Sequence, residues 1–157
     1  MFTATRHDHA SSEAQIQSHE ILATVRKAAH RSELPHAGNV TPEQAWTLVS
    51  AGVAELIDVR TDNELLRTGH VPGAGHVEWL TGAGMSKNPR FISQLGSLVS
   101  KGNVVLFLCR SGKRSTAAAE AATGAGFRNA FNVLEGFEGD GNPKLGWLNR
   151  RLPSAQD

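Results

Sequence analysis

The chain has 157 residues, of which 20% are charged, and a formal net charge of +1. That length supports one domain with a buried core and is short for two, and so balanced a charge gives no ground for expecting nucleic acid or an acidic membrane surface as a partner. A single cysteine excludes an internal disulfide, and the sequence shows neither an apolar leader nor a run long enough to cross a bilayer, which together predict a soluble cytoplasmic protein.

Residues 1–12 are polar, lack apolar periodicity and are expected to form a mobile tail. His7 and His9 flank Asp8 there, but no further ligands stand at a metal-binding spacing, so the trio reads as solvated and no metal site is expected. Residues 13–34 read as a helical extension, because Ile16, Ile21, Leu22, Val25, Ala28 and Ala29 recur mostly at three- and four-residue intervals. The extension is expected to pack on the domain. A partner-binding helix is the alternative; the sequence leaves the oligomeric state open, and this helix is the place where any dimer contact is to be sought.

Residues 35–152 make the domain proper, with 153–157 a short tail. Leu34-Pro35 and His36-Ala37-Gly38-Asn39 break the helical pattern. Thr41-Pro42-Glu43-Gln44 opens a helix with Thr41 as N-cap, Pro42 at N1 and Gln44 closing a capping box, and with Trp46 and Val49 as its buried face. After Gly52, Ala54 to Val59 reads as a strand whose end delivers Asp58 and Arg60 to a loop, the place where site residues gather in α/β sheets. A helix from Thr61 to Arg67 follows. Arg60 is expected either to pair with Glu64 or to reach substrate, and Asp58, Arg60 and Glu64 are read as supporting the site.

Gly69 to Ala74 is a turn cluster that leads into a short strand over residues 75–80. His70 and His76 are of the right type for a general base, but nothing in the local sequence ties either to the cysteine. Asn88-Pro89 opens a helix to about Val99 with Phe91, Ile92, Leu95 and Leu98 as its inner stripe, and Lys101-Gly102-Asn103 turns the chain again.

Val104 to Leu108 is a near-continuous apolar run, the pattern of a strand buried on both faces of a parallel sheet, and it ends at Cys109. Arg110, Ser111, Gly112, Lys113, Arg114 and Ser115 follow, then the helix-favouring TAAAEAA from Thr116. A loop that opens a helix presents free backbone N–H groups and the positive end of the helix dipole, so it favours an anion and an ionised thiol. Cys109 therefore reads as a nucleophile. Gly112 permits the turn, the three cations attract an anionic substrate, and the two serines supply hydroxyl donors. Further on come a helix to Ala125 closed by Gly124 and Gly126, a strand from Ala130 to Leu134, a loop-rich stretch from Glu135 to Pro143, and Trp147 with Leu148 covering a sheet edge or helix face. Strands alternating with helices in short units predict an open α/β sheet, mostly parallel.

Ile57-Asp58-Val59-Arg60, Glu64, Gly69-His70-Val71-Pro72-Gly73-Ala74, the stretch Cys109 to Ser115, and Val133-Leu134-Glu135-Gly136-Phe137 stand in the order of similar segments in the rhodanese family. The chain resembles that family over most of residues 40–137. The resemblance implies a rhodanese-like sheet of about five strands with helices on both faces. It also implies a sulfurtransferase in which Cys109 takes the outer sulfur of a small anionic donor as a persulfide and passes it to cyanide or to a protein thiol. The loop from Arg110 to Ser115 would bind the donor, and no cofactor beyond the transient persulfide is expected. Relatives that use 3-mercaptopyruvate tend to carry uncharged residues after the cysteine, so the cationic loop points to thiosulfate. One rival is a rhodanese-like binding module without catalysis. Another is a cysteine phosphatase or arsenate reductase on the same fold, but such enzymes wrap a phosphoryl group in a longer ring, and only four residues separate Cys109 from Arg114. A buried structural thiol would not call for the cations around it.

Overall fold

The computed structural model describes residues 4–156. Helix α1 (Ala4–Arg31) leads. Its buried stripe is Ser18, Leu22, Val25 and Ala29, while Ile16 and Ala28, apolar by spacing, are exposed. The helix begins at Ala4, inside the stretch expected to be a mobile tail, because residues 4–34 hold no glycine or proline and a nucleated helix propagates at little cost. Met1 to Thr3, and the side chains of His7, Asp8 and His9, lie outside the described residues.

Strand β1 (Gly38–Val40) follows, in a segment whose composition reads only as a break. Helix α2 (Pro42–Ser50) carries the expected capping box, with the Gln44 N–H donating to Thr41 Oγ1 at 3.1 Å and the Thr41 N–H to Gln44 Oε1 at 2.9 Å. Its buried face is Ala45 and Leu48 rather than Trp46 and Val49. Trp46 instead stands edge-on to Trp147 with ring centroids 6.2 Å apart, which places it at the rim of the core.

Next come β2 (Ala54–Asp58), α3 (Asp62–Thr68) and β3 (Gly75–His76). The single strand expected over 75–80 is divided. Val77 and Trp79 still donate to the carbonyls of Asp58 and Val59, but Leu80 peels away, so that β4 (Leu80–Thr81) pairs antiparallel with β5 (Ser86–Lys87). Then come α4 (Phe91–Leu98), β6 (Val104–Leu108), α5 (Lys113–Gly124) and β7 (Ala130–Val133). Leu98, expected on the inner stripe of α4, is 53% exposed because it closes the helix at its open end.

The main sheet runs β1-β7-β6-β2-β3 with every pairing parallel. Side chains alternate across it. Leu106 and Leu108 pack with Leu22, Val25, Ala45 and Leu48 of α1 and α2, whereas Val105, Phe107 and Cys109 pack with Phe91 and Leu95 of α4 and Ala118, Ala119 and Ala122 of α5. Helices therefore cover both faces, as an α/β sheet of parallel strands requires. The stripe of α1 is spent on this core.

The last residues are tied down rather than loose. Trp147 is fully buried and its indole N–H donates to the Pro153 carbonyl at 2.9 Å, which anchors the chain beyond it. Ala155 and His70 then exchange two backbone hydrogen bonds, at 2.8 and 2.9 Å. Asp157 lies outside the described residues.

Candidate active site

Cys109 follows directly on β6, the middle strand, at the carboxyl edge where the chain turns between β2 on one side and β7 on the other. Clefts of open α/β sheets form at such points. The thiol is free and 1% exposed. Its Sγ accepts the Gly112 N–H at 3.0 Å and lies 3.2 Å from Ser115 Oγ. Gly112 has φ +108, in the left-handed region, and this is what turns its N–H back toward the sulfur. Helix α5 starts at Lys113, three residues ahead of the expected Thr116, so its first turn is part of the loop and the N–H that meets the sulfur is that of its N-cap, Gly112.

The loop side chains part into two groups. Arg110, Ser111 and Lys113 are exposed, with Arg110 Nε 3.4 Å from a Glu138 carboxylate oxygen. Arg114 is held in a two-pronged pair with Glu64, at 2.6 and 2.8 Å. Ser115 is fully buried and donates to Asn132 Oδ1 at 2.6 Å, and the Asn132 amide donates to Asn39 Oδ1 at 3.0 Å.

The expected pairing of Arg60 with Glu64 does not form. Arg60 is fully buried, with Nε and Nη2 on the Asp58 carboxylate at 3.1 and 2.7 Å, Nη1 on Thr68 Oγ1 and Nη2 also on the Gly69 carbonyl. The reason is the strand period: two residues apart, Asp58 and Arg60 share a side and can close on each other while the neighbouring helix takes the remaining donors. The Arg60 guanidinium also lies 4.0 Å from the centroid of the Phe137 ring. Phe137 in turn donates its N–H to the Cys109 carbonyl at 2.8 Å, and Glu138 donates to Arg110 O at 3.0 Å. Gly136, at φ +74, lets this clip close, since a Cβ there would overlap the Arg110 carbonyl. Asp58 and Arg60 thus brace the Cys109 carbonyl through Phe137, whereas Glu64 holds the Arg114 side chain in the first turn of α5.

Burial alone would raise the Glu64 carboxyl, but the Arg114 hydrogen bonds and the Thr61 N–H outweigh it and hold the group down at about 2. A carboxyl that titrates lower in the folded than in the unfolded chain stabilises the fold above its unfolded value of 4.5 and loses that contribution as pH falls toward 2. Urea unfolding is therefore expected to find Glu64→Gln less stable than wild type by a constant margin above about pH 5, and the margin is expected to close below that. A margin unchanged down to pH 2 would show that the ion pair does not carry it.

Neither histidine of the turn region approaches the thiol. His76 Nε2 lies 2.6 Å from the Arg60 carbonyl oxygen, and His70 is joined through its backbone to Ala155. A cavity of about 560 Å³ lies on the α3 side of the loop, lined among others by Asn63, Leu66, Arg67, Met85, Arg110 and Arg114. Asn132 and Asn39 were not singled out from sequence. The available signal was Asn132 itself, a polar residue set inside the apolar strand AFNVL, which must find a buried partner. Among the described residues, no helix is long and apolar enough to cross a membrane.

Comparison with known proteins agrees with this geometry. A family model described as a rhodanese-like domain matches residues 41–141. An uncharacterised protein of Rickettsia conorii is 36% identical over 120 residues, covering 73% of this chain and 94% of its own length. Thiosulfate sulfurtransferase 16, chloroplastic, of Arabidopsis thaliana is 32% identical over 128 residues, covering 80% of this chain and 98% of its own. The crystal structure of Rv0390 from M. tuberculosis superposes with a TM-score of 0.67 at 38% identity, over 76% of this chain and 97% of that one.

Proposed function

The chain belongs to the rhodanese-like domain family, and from that premise we propose that it is a thiosulfate sulfurtransferase whose Cys109 carries the sulfur as a persulfide. The observation that supports this most is the setting of Sγ. It is capped by the Gly112 N–H at the start of α5, beneath a rim where Arg110 and Lys113 are exposed to meet a dianion. The thiolate attacks the outer sulfur of thiosulfate; an S–S bond forms to Sγ, the bond to the inner sulfur breaks, and its electron pair leaves with sulfite. Cyanide or a protein thiolate then takes the outer sulfur and the electron pair returns to Sγ. With cyanide, no proton moves in either step, so neither a general base nor a cofactor is called for. The positive rim draws in the donor and steadies the departing sulfite. A single free thiol that works as an anion suits the reducing cytoplasm.

The setting of Arg114 weighs against phosphoryl chemistry. In a phosphatase loop the arginine must face the phosphoryl oxygens, and here Glu64 holds both of its terminal nitrogens. Intact mass after incubation with thiosulfate is expected to show a gain of one sulfur, lost again on adding cyanide with release of thiocyanate, and no gain for Cys109→Ala. A folded wild-type protein that gains nothing would overturn the proposal.

A further inference from the structure

Ser115 has one proton and two acceptors. Its Oγ is 2.6 Å from Asn132 Oδ1 and 3.2 Å from Cys109 Sγ, and all three residues are buried. Asn132 stands in register with Asn39 across β7 and β1, and the two side chains are joined at 3.0 Å. In the arrangement described, the protons run outward, from Ser115 to Asn132 to Asn39. Ser115 then offers only lone pairs to the sulfur, which suits a thiol that donates its own S–H. An anionic sulfur needs the reverse. The nitrogen and oxygen of an amide occupy nearly the same volume, so turning both amides over in place reverses the chain without moving a neighbour. Asn39 then donates to Asn132 Oδ1, Asn132 donates to Ser115 Oγ, and Ser115 donates to Sγ. The Ser115–Asn132 and Asn132–Asn39 hydrogen bonds are kept in either direction.

We propose that Asn39, Asn132 and Ser115 form a reversible hydrogen-bond relay whose direction follows the charge on Cys109, with Asn132 the positioning residue that frees the Ser115 proton for the anionic sulfur. This rests on the reading of Cys109 as an anionic nucleophile, and it adds two residues, one each from β7 and β1.

The test is the pH midpoint of Cys109 alkylation by iodoacetamide in the full chain, which requires no sulfur transfer. Asn39→Asp places a group at the end of the relay that only accepts, so it holds the Asn132 nitrogen and keeps Oδ1 turned to Ser115. The midpoint is expected to rise by about one pH unit. Asn39→Ser, which can donate or accept, is expected to stay near wild type. In a Ser115→Ala background, Asn39→Asp has no hydroxyl to direct, and its shift is expected to vanish, whereas a simple field effect of the new charge would persist. No shift, or an equal shift in both backgrounds, overturns the relay. Asn39 is half-buried on an edge strand, and thermal melting checks that the aspartate variant folds. Independently of any variant, the side-chain amide resonances of Asn39 and Asn132 in wild type are expected to move with the alkylation midpoint, and amides that stay fixed refute the proposal. A failure of thiosulfate to load the protein would leave these readouts intact, so the two readings fail separately.

Discussion

Cys109→Ser is expected to lower thiosulfate:cyanide turnover by about 10⁴-fold or more, to background, with the protein still folded. The reaction needs a soft anion that attacks sulfur and can afterwards leave it. A serine hydroxyl is not ionised near neutral pH, and an oxygen-bound sulfur would not be passed on as a persulfide is. Among the described residues no base stands ready to ionise it: the groups that meet Sγ there are the Gly112 N–H and the Ser115 hydroxyl. The fold, by contrast, loses little. The serine oxygen inherits the Gly112 N–H in a pocket that is otherwise unchanged, so the cost is expected to stay under about 2 kcal/mol. Steady-state thiocyanate formation and a thermal melt read the two quantities separately. Turnover above background in a folded Cys109→Ser protein would mean that the sulfur travels by another route.

The strand, the thiol and the loop could be read from sequence because their signals are local. An unbroken apolar run needs no knowledge of its neighbours to be called buried, and a glycine among cations at a helix start predicts where an anion sits. What escaped was set by contacts between distant parts of the chain. Arg114 has the composition of a substrate ligand, yet its partner Glu64 lies fifty residues upstream. Only the pairing of β2 with β6 brings α3 close enough for the two to meet. Asn39 and Asn132 could not be linked without the strand order, which places β1 beside β7. β1 itself has three residues, too few to show an alternation. The clip at Gly136 and Phe137 was legible as a motif but not as a function, since its meaning is the close approach of that backbone to the Arg110 carbonyl.

Asp58→Ala is expected to be the most destabilising of these substitutions, at about 3–5 kcal/mol, because it strands a buried guanidinium without its counter-charge. Arg60 is fully buried and Asp58 is 1% exposed, so water cannot take the carboxylate's place, and Thr68 and Gly69 supply acceptors but no charge. Against a total stability of about 5–15 kcal/mol for a domain of this kind, such a loss brings the protein close to unfolding at physiological temperature. Removing the charge as well separates this cause from the loss of packing. Asp58→Ala combined with Arg60→Met is expected to recover a large part of the deficit, since a methionine fills the space over Phe137 without demanding a partner. Urea unfolding of the two single variants and the double variant measures the coupling. A cost under about 1 kcal/mol for Asp58→Ala would mean that Arg60 finds another anion or opens to water. In the double variant the stability and the chemistry are expected to part company. A thioether over the ring restores bulk but not the cation that steadies Phe137, and Phe137 holds the Cys109 carbonyl. Sulfur transfer by the refolded double variant is therefore expected to remain below wild type, because the buried pair fixes the end of β6 from which the thiol projects.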